Sequence, residues 1–306
     1  MFRNFSEIEK YILDKGFKAT VALAGSNDID TLSSAVNAKR KGIIKAVLIG
    51  DENETRALLN SMDEPEEDYR FIHEENISKC AETAVDLVNS GEADMPMKGL
   101  IPTALFLKAV LNKDKGFVPE KGLISVANAY ESKEHGKFIV FADCAINIEP
   151  DYHAKKQILE NAVKLSHQLG VETPKVAVVA PVEVINPVMQ STVDAAMLSK
   201  ACERGQIKGC IVDGPLGMDN AISAEAAAHK GIKSEVAGEP DVVIFPDLAS
   251  ANMFTKGIVY LGNGSPSSGV ATGTTTGVIM TSRSDTPVNK YNSILIGALQ
   301  TLRKDY

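Results

Sequence analysis

Short apolar runs alternate along this chain with stretches in which apolar residues recur every three or four positions. Residues 19–24, ATVALA, predict a strand, and residues 28–41 carry Leu32, Ala35 and Val36 at helical spacing above a Lys/Arg end. Lys45 to Ile49 predicts a second strand, and Asp51 caps a short helix. Residues 76–89 place Ile77, Cys80, Ala84 and Leu87 on one helical face before Gly91 ends it. A strand ending near Met97 leads into a helix beginning near Pro102 and Thr103. This rhythm predicts parallel strands joined by crossover helices, with ligand crevices at the carboxyl ends of the strands.

The rhythm changes at residue 123. Two strands, Leu123 to Asn128 and Lys137 to Asp143, flank the polar turn YESKEHG as a hairpin. A second alternating series follows: helix 153–169, strand 175–180, helix 191–203, strand 210–213, helix 219–229, strand 242–245 and helix 248–257. A short apolar strand at 277–280 and a last helix at 288–302 close the chain, the helix offering Tyr291, Ile294, Leu295, Ala298 and Leu299 for packing. With 306 residues, at roughly 150 residues per domain, the expected fold class is α/β, as two α/β domains facing a cleft.

The stretch 262–285, GNGSPSSGVATGTTTGVIMTSRSD, is the most informative for chemistry. Glycines such as Gly273 let successive N–H groups approach an anion closely, and Thr274 adds a hydroxyl. Ser282, Arg283 and Asp285 follow the short strand, and arginine offers a planar fork of donors to a phosphate or a carbonyl oxygen. Gly/Ser/Thr-rich segments are also ordinary flexible connectors, and that reading stands beside the first. The turn Lys98-Gly99 and the helix start at Thr103 form a second candidate anion site, deepened by Lys98 and Lys108, although most lysines are solvated surface. Three further turns end strands: 213–220 with Asp219 and Asn220, 245–256 with Asp247 and Asn252, and 142–150 with Asn147. Capping and turn roles account for these residues as well as binding does.

The net charge of −8 argues against a general nucleic-acid binder. Cys80, Cys144, Cys202 and Cys210 form no CxxC pair, which fits a reduced, cytoplasmic setting. Residues 1–17 predict an amphipathic helix with acidic residues rather than a signal segment, and nothing approaches a membrane span. The five histidines make no metal-ligand pair, so no metal is expected. GxSxG, Walker and GxGxxG signatures are missing, which disfavours a serine nucleophile, nucleotide hydrolysis and dinucleotide binding. The residues alone therefore point to a phosphate-rich ligand.

Five stretches in order, GEADMPMKG (91–99), FADCAINIEPD (141–151), DGPLGMDNAIS (213–223), FPDLASANMFTK (245–256) and MTSRSD (280–285), resemble the phosphate acetyl- and butyryltransferase family. MKGLIPT and GPLGMDNAIS look more like its butyryl branch. The resemblance implies exchange of an acyl group between coenzyme A and inorganic phosphate, with acyl-CoA and phosphate as partners and no tightly bound cofactor. It also implies a homodimer or higher homo-oligomer and a fold similar to the isocitrate and isopropylmalate dehydrogenases. On that likeness the first domain takes residues 1–122 with 272–306, and the second takes 123–271. Carried over, the match places Ser282 beside the CoA sulfur and Arg283 on the reacting carbonyl or phosphate, with Lys98, Gly99, Thr103, Lys108, Asp219, Asn220, Asn252, Gly273 and Thr274 around phosphate and CoA. Acetyl-type members carry a catalytic aspartate seven residues after the serine. Here that position is Asn289, which leaves Asp285 as the nearest carboxylate and candidate catalytic base for the CoA thiol, the alternative being that the bound thiol ionises beside Arg283 without a base. Lysine at or near Lys108 stands for a family arginine, and Ala251 for a common glycine. An acetyl preference, a non-catalytic acyl-CoA sensor and a nicotinamide-dependent dehydrogenase are the competing expectations.

Overall fold

The computed structural model describes residues 1–262, 266–282 and 284–305. In chain order its elements are α1 (Phe5–Asp14), β1 (Ala19–Ala24), α2 (Ile29–Arg40), β2 (Ile44–Gly50), α3 (Glu52–Ser61), β3 (Arg70–His73), α4 (Ile77–Asn89), β4 (Met95–Lys98), α5 (Thr103–Val110), β5 (Ser125–Ser132) and β6 (Lys137–Ala142). They continue with α6 (Tyr152–Gln168), β7 (Lys175–Val179), α7 (Gln190–Glu203), β8 (Ile211–Leu216), α8 (Met218–Ile222), α9 (Ala224–His229), β9 (Val242–Ile244), α10 (Leu248–Leu261), β10 (Ser267–Thr272), β11 (Val278–Ile279) and α11 (Pro287–Leu302). Two units result, one of Phe5–Gly122 with Pro266–Asp305, the other of Leu123–Ser265 with Met1–Asn4.

In the first unit the strands lie in the order β3-β2-β1-β4-β11-β10. All pair in parallel except β10, which runs antiparallel to β11. Helices cover these strands, so β1 and β2 are buried along nearly their whole length and read as unbroken apolar runs. Asp28, Asp51 and Asn76 each accept from first-turn amides of α2, α3 and α4, which fixes where those helices begin. Because the chain lays β2 and β3 on one side of β1 and returns to place β4 on the other, the winding reverses between β1 and β4.

The second unit orders its strands β5-β6-β9-β7-β8, with β5 and β6 as an antiparallel hairpin and the rest parallel. A buried ion pair, Lys155 Nζ to Asp194 Oδ2 at 2.6 Å, ties α6 to α7.

Three elements depart from the sequence reading. Strand β3 has too few buried positions to show in the apolar pattern. The helix expected over 219–229 is two helices, because Ser223 is extended at φ −123°, ψ 115° and caps α9 through Ala226 N–H. Within the glycine-rich stretch, residues 267–272 form a strand rather than a loop. The reason lies in α11: Asn289 Oδ1 accepts from Ser267 N–H at 3.2 Å, and Ser293 Oγ accepts from Gly269 N–H at 3.0 Å. Polar side chains of a distant helix thus satisfy the backbone of a segment with little strand propensity of its own.

Removing one partner of the Lys155–Asp194 pair leaves a buried charge uncompensated. Lys155→Met is expected to cost about 3–5 kcal/mol in urea unfolding, with partial recovery on adding Asp194→Asn; a loss under about 1 kcal/mol would contradict the pair's role.

Candidate active site

The reversal between β1 and β4 brings two glycines together at the carboxyl edge of the first unit. Gly99 N–H donates to Ala24 O at 2.8 Å and Leu100 N–H to Gly25 O at 2.9 Å. A β-carbon on Gly99 would stand 2.1 Å from Gly25 O, so only glycine fits. Gly25 itself has φ +74°. Lys98, the last residue of β4, is buried, with Nζ 3.4 Å from Gly99 O and 3.5 Å from Ile101 O. Thr103 opens α5, whose start has no side-chain cap and keeps amide donors toward this edge. Lys108 is exposed in the last turn of α5, about 7 Å further along the axis. There it complements the helix carboxyl terminus.

Strand β11 pairs in parallel with β4, Ile279 opposite Met97, so the chain leaving β11 emerges at the same edge. Ser282 sits in a turn closed by Asp285: Ser282 N–H donates to Asp285 Oδ2 at 2.7 Å and Asp285 N–H to Ser282 O at 3.2 Å. Ser282 Oγ lies 3.0 Å from Ser284 Oγ. Arg283, assigned to the reacting oxygen from the sequence, lies outside the described residues, as do residues 263–265 of the glycine-rich stretch.

Gly273 and Thr274 do not join this edge. Because β10 is antiparallel to β11, the turn between them falls at the amino end of the sheet. Thr276 Oγ1 there donates to Asp94 O, just before β4 begins, and Thr274 Oγ1 donates to Thr276 O. Gly273, at φ +80°, serves the turn. The sequence joined these residues to Ser282 because they are close along the chain; the strand between them separates the two.

A cavity of about 450 Å³ opens at the carboxyl edge beside Gly25, Asn27, Gly50 and Leu100. Asp51, Glu54, Glu74 and Glu75 line it. Such a lining disfavours phosphate in this cavity.

In the second unit the expected residues also stand after strand ends. Asn252 Nδ2 donates to Cys144 O at 3.1 Å, tying α10 to the turn after β6. Asp143 accepts from Val126, Ala145 and Asn147 amides, which gives Asn147 a turn role, and Asp247 caps α10 through Ser250 N–H. Neither Asp219 nor Asn220 caps a helix; Gly217 holds the cap position of α8, without a side-chain hydrogen bond. Asp219 instead pairs with Lys230 at 3.0 Å, as does Glu183. The Lys230 ammonium holds both carboxyls below the usual carboxylate range, and they raise Lys230 in return. Asn220 is fully buried, and its Oδ1 has no hydrogen-bond partner among the described residues. Burial pushes the Cys144 thiol up, which removes it as a nucleophile. Among the described residues, no group of three His, Cys, Asp or Glu side chains is placed to hold a metal ion, and no helix is long and apolar enough to cross a membrane.

A family model described as "Phosphate acetyl/butaryl transferase" matches residues 69–298. The chain belongs to this family. It is 42% identical over 299 residues to the phosphate butyryltransferase of Clostridium acetobutylicum, covering 98% of both chains. It is 36% identical over 293 residues to the phosphate acetyltransferase of Thermotoga maritima, covering 95% of this chain and 99% of the other. A solved branched-chain phosphotransacylase from Enterococcus faecalis V583 aligns with a TM-score of 0.82 at 28% identity, covering 92% of this chain and 99% of the other.

Asn289, at the position where the resemblance implies an aspartate in acetyl-type members, has its Oδ1 engaged by Ser267 N–H. Sequence reasoning missed Lys290 beside it, which is 1% exposed. Lys290 lies four residues before Ile294 and seven before Gly297, inside the stripe of α11 that packs inward.

Adding one methyl at Gly99 forces β1 and β4 apart at this edge. Gly99→Ala is expected to lower stability by at least about 1–3 kcal/mol in thermal or urea unfolding. An unchanged melting temperature would contradict the close approach.

Proposed function

We propose that the protein exchanges a butyryl or branched short acyl group between coenzyme A and inorganic phosphate, giving acyl phosphate and free CoA. The observation that carries the reading is end-to-end similarity to a phosphate butyryltransferase at 42% identity, combined with the Lys98–Gly99 and Ser282 turns at one sheet edge. In the reaction a phosphate oxygen attacks the thioester carbonyl carbon, the C–S bond breaks, and the proton lost by hydrogen phosphate goes to the leaving thiolate. We assign Arg283 to the oxyanion of the tetrahedral intermediate, where a preorganised donor is worth a few kcal/mol, about 3. Ser282 Oγ lies by the CoA sulfur. Holding two substrates in register contributes about 7–11 kcal/mol in favourable cases, so the scheme needs no covalent enzyme species. Asp285 holds the Ser282 turn, and the second-unit residues Asp219, Asn220 and Asn252 take part in CoA binding. We also read the two α/β units as the architecture of the isocitrate and isopropylmalate dehydrogenases, and the protein as a cytoplasmic homodimer or larger homo-oligomer. Four free cysteines and the family likeness support the setting. CoA is a substrate here, with no tightly bound cofactor in the scheme.

Asn289, in place of an aspartate, favours a second reading, a non-catalytic acyl-CoA sensor. Phosphate-dependent release of free thiol from butyryl-CoA is expected and separates the two; CoA binding by calorimetry without turnover on acyl chains of two to six carbons supports the sensor. Faster turnover on acetyl-CoA would assign the acetyl preference instead.

Arg283→Ala is expected to lose roughly tenfold to a thousandfold in rate. Asp285→Asn, whose amide oxygen still accepts from Ser282 N–H, is expected to stay within about tenfold of the parent rate, the cost of one weakened charge-assisted bond. A near-normal Arg283→Ala removes the oxyanion role, and a much larger loss in Asp285→Asn makes Asp285 the base.

A further inference from the structure

Lys290 is among the largest fully buried side chains in the protein, at 1% exposure. Its backbone N–H closes the first turn of α11 on Thr286 O, yet no hydrogen bond or ion pair to its ammonium is present among the described residues. Of the other two buried lysines, Lys155 has a carboxylate at 2.6 Å, and Lys98 has two backbone carbonyl oxygens at 3.4 and 3.5 Å. A buried lysine side chain whose ammonium has no counter-charge beside it is an unfavourable arrangement, and an anion from outside relieves it.

Helix α11 determines where that ammonium lies. Asn289 bonds to Ser267 at one end of β10, and Gln300 Nε2 reaches Ala271 O at the other, so the helix runs antiparallel to β11 with its amino end at the carboxyl edge of the sheet. Gly297 faces Ile279 and Met95, and Thr301 Oγ1 lies 3.9 Å from Met95 Sδ. Lys290 shares this row, at seven and eleven residues' spacing, over β4 and β11. Seven helical residues span about 10 Å, the rise of about three strand residues, so Lys290 stands level with Gly99 and Ser282. Long helical side chains lean toward the helix amino terminus, which carries the ammonium further toward the edge. Lys98 ends β4 at that edge. Ser268 is buried there too, and its Oγ has no hydrogen-bond partner among the described residues. The amino end of a sixteen-residue helix adds partial positive charge.

We propose that Lys290 binds the inorganic phosphate that accepts the acyl group, its ammonium donating to a phosphate oxygen beside Lys98 and Ser282. The assignment rests on the acyl-transfer reading and deepens it. A small, compact anion suits a charge recessed beneath the edge, whereas the CoA phosphates are tethered to a large nucleotide. The position beside Asn289 then has a chemical purpose: it brings a cation where this chain dispenses with the expected aspartate.

Lys290→Met and Lys290→Gln replace the ammonium without enlarging the side chain. Calorimetry with inorganic phosphate alone, together with steady-state kinetics on butyryl-CoA, provides the test. Both variants are expected to melt no lower than the parent. Their phosphate Kd and KM should rise at least about tenfold, the loss of one charge-assisted bond, with the KM for butyryl-CoA within about threefold. A phosphate Kd within about threefold of the parent overturns the assignment. A selective rise in the KM for butyryl-CoA with phosphate binding unchanged moves the ammonium to a CoA phosphate and also overturns it. If both variants fail to fold, Lys290 is a structural group, and the assignment is overturned in that case as well. Should the parent turn over no acyl-CoA, the acyl-transfer reading falls, while phosphate calorimetry on parent and variants still decides Lys290.

Discussion

Position 99 tolerates no side chain: a β-carbon there would sit 2.1 Å from the Gly25 carbonyl oxygen. That contact lets β4 lie against β1 to its very end and sends the chain out at the point where the sheet reverses its winding. The buried Lys98, the uncapped start of α5 and the chain leaving β11 toward Ser282 all take their places from it. A pocket rimmed by carboxylates occupies one side of the edge, and lysines occupy the other. The division gives the edge a direction in charge.

Helix α11 is the second organising element. Its polar residues Asn289, Asn292 and Ser293 are buried, and all three hydrogen-bond the backbone of β10, which converts a serine- and glycine-rich segment into a sheet strand. The same helix carries Lys290 to the carboxyl edge. The residues that hold β10 in place are thus neighbours in sequence of Lys290, to which we assign the phosphate. The Ser282–Asp285 turn, which links β11 to this helix, is closed by its own side chain and backbone and so presents Ser282 in a fixed orientation.

The parallel strands and most helices were legible because each announces itself locally. Buried strands such as β1 are continuous apolar runs, and Asp28, Asp51 and Asn76 mark helix starts by the hydrogen bonds they make. The positions of Lys98, Gly99 and Ser282 after strand ends were legible for a related reason, since the strands that precede them show as short apolar runs. Strand β10 was not, because its partners lie on α11, some twenty residues further along the chain. That omission misplaced Gly273 and Thr274, which serve a turn at the opposite edge. Lys290 stayed hidden because a charged residue on an inward stripe reads as a break in the pattern until burial is known. For Asp219 the competing salt bridge to Lys230 is equally invisible in sequence.

The role given to the carboxyl edge depends on inorganic phosphate being the acyl acceptor. Phosphorus NMR of the protein with butyryl-CoA and phosphate measures this directly. Growth of an acyl phosphate resonance in step with released CoA is the expected result. Thioester loss that yields only butyrate and unchanged inorganic phosphate would contradict it.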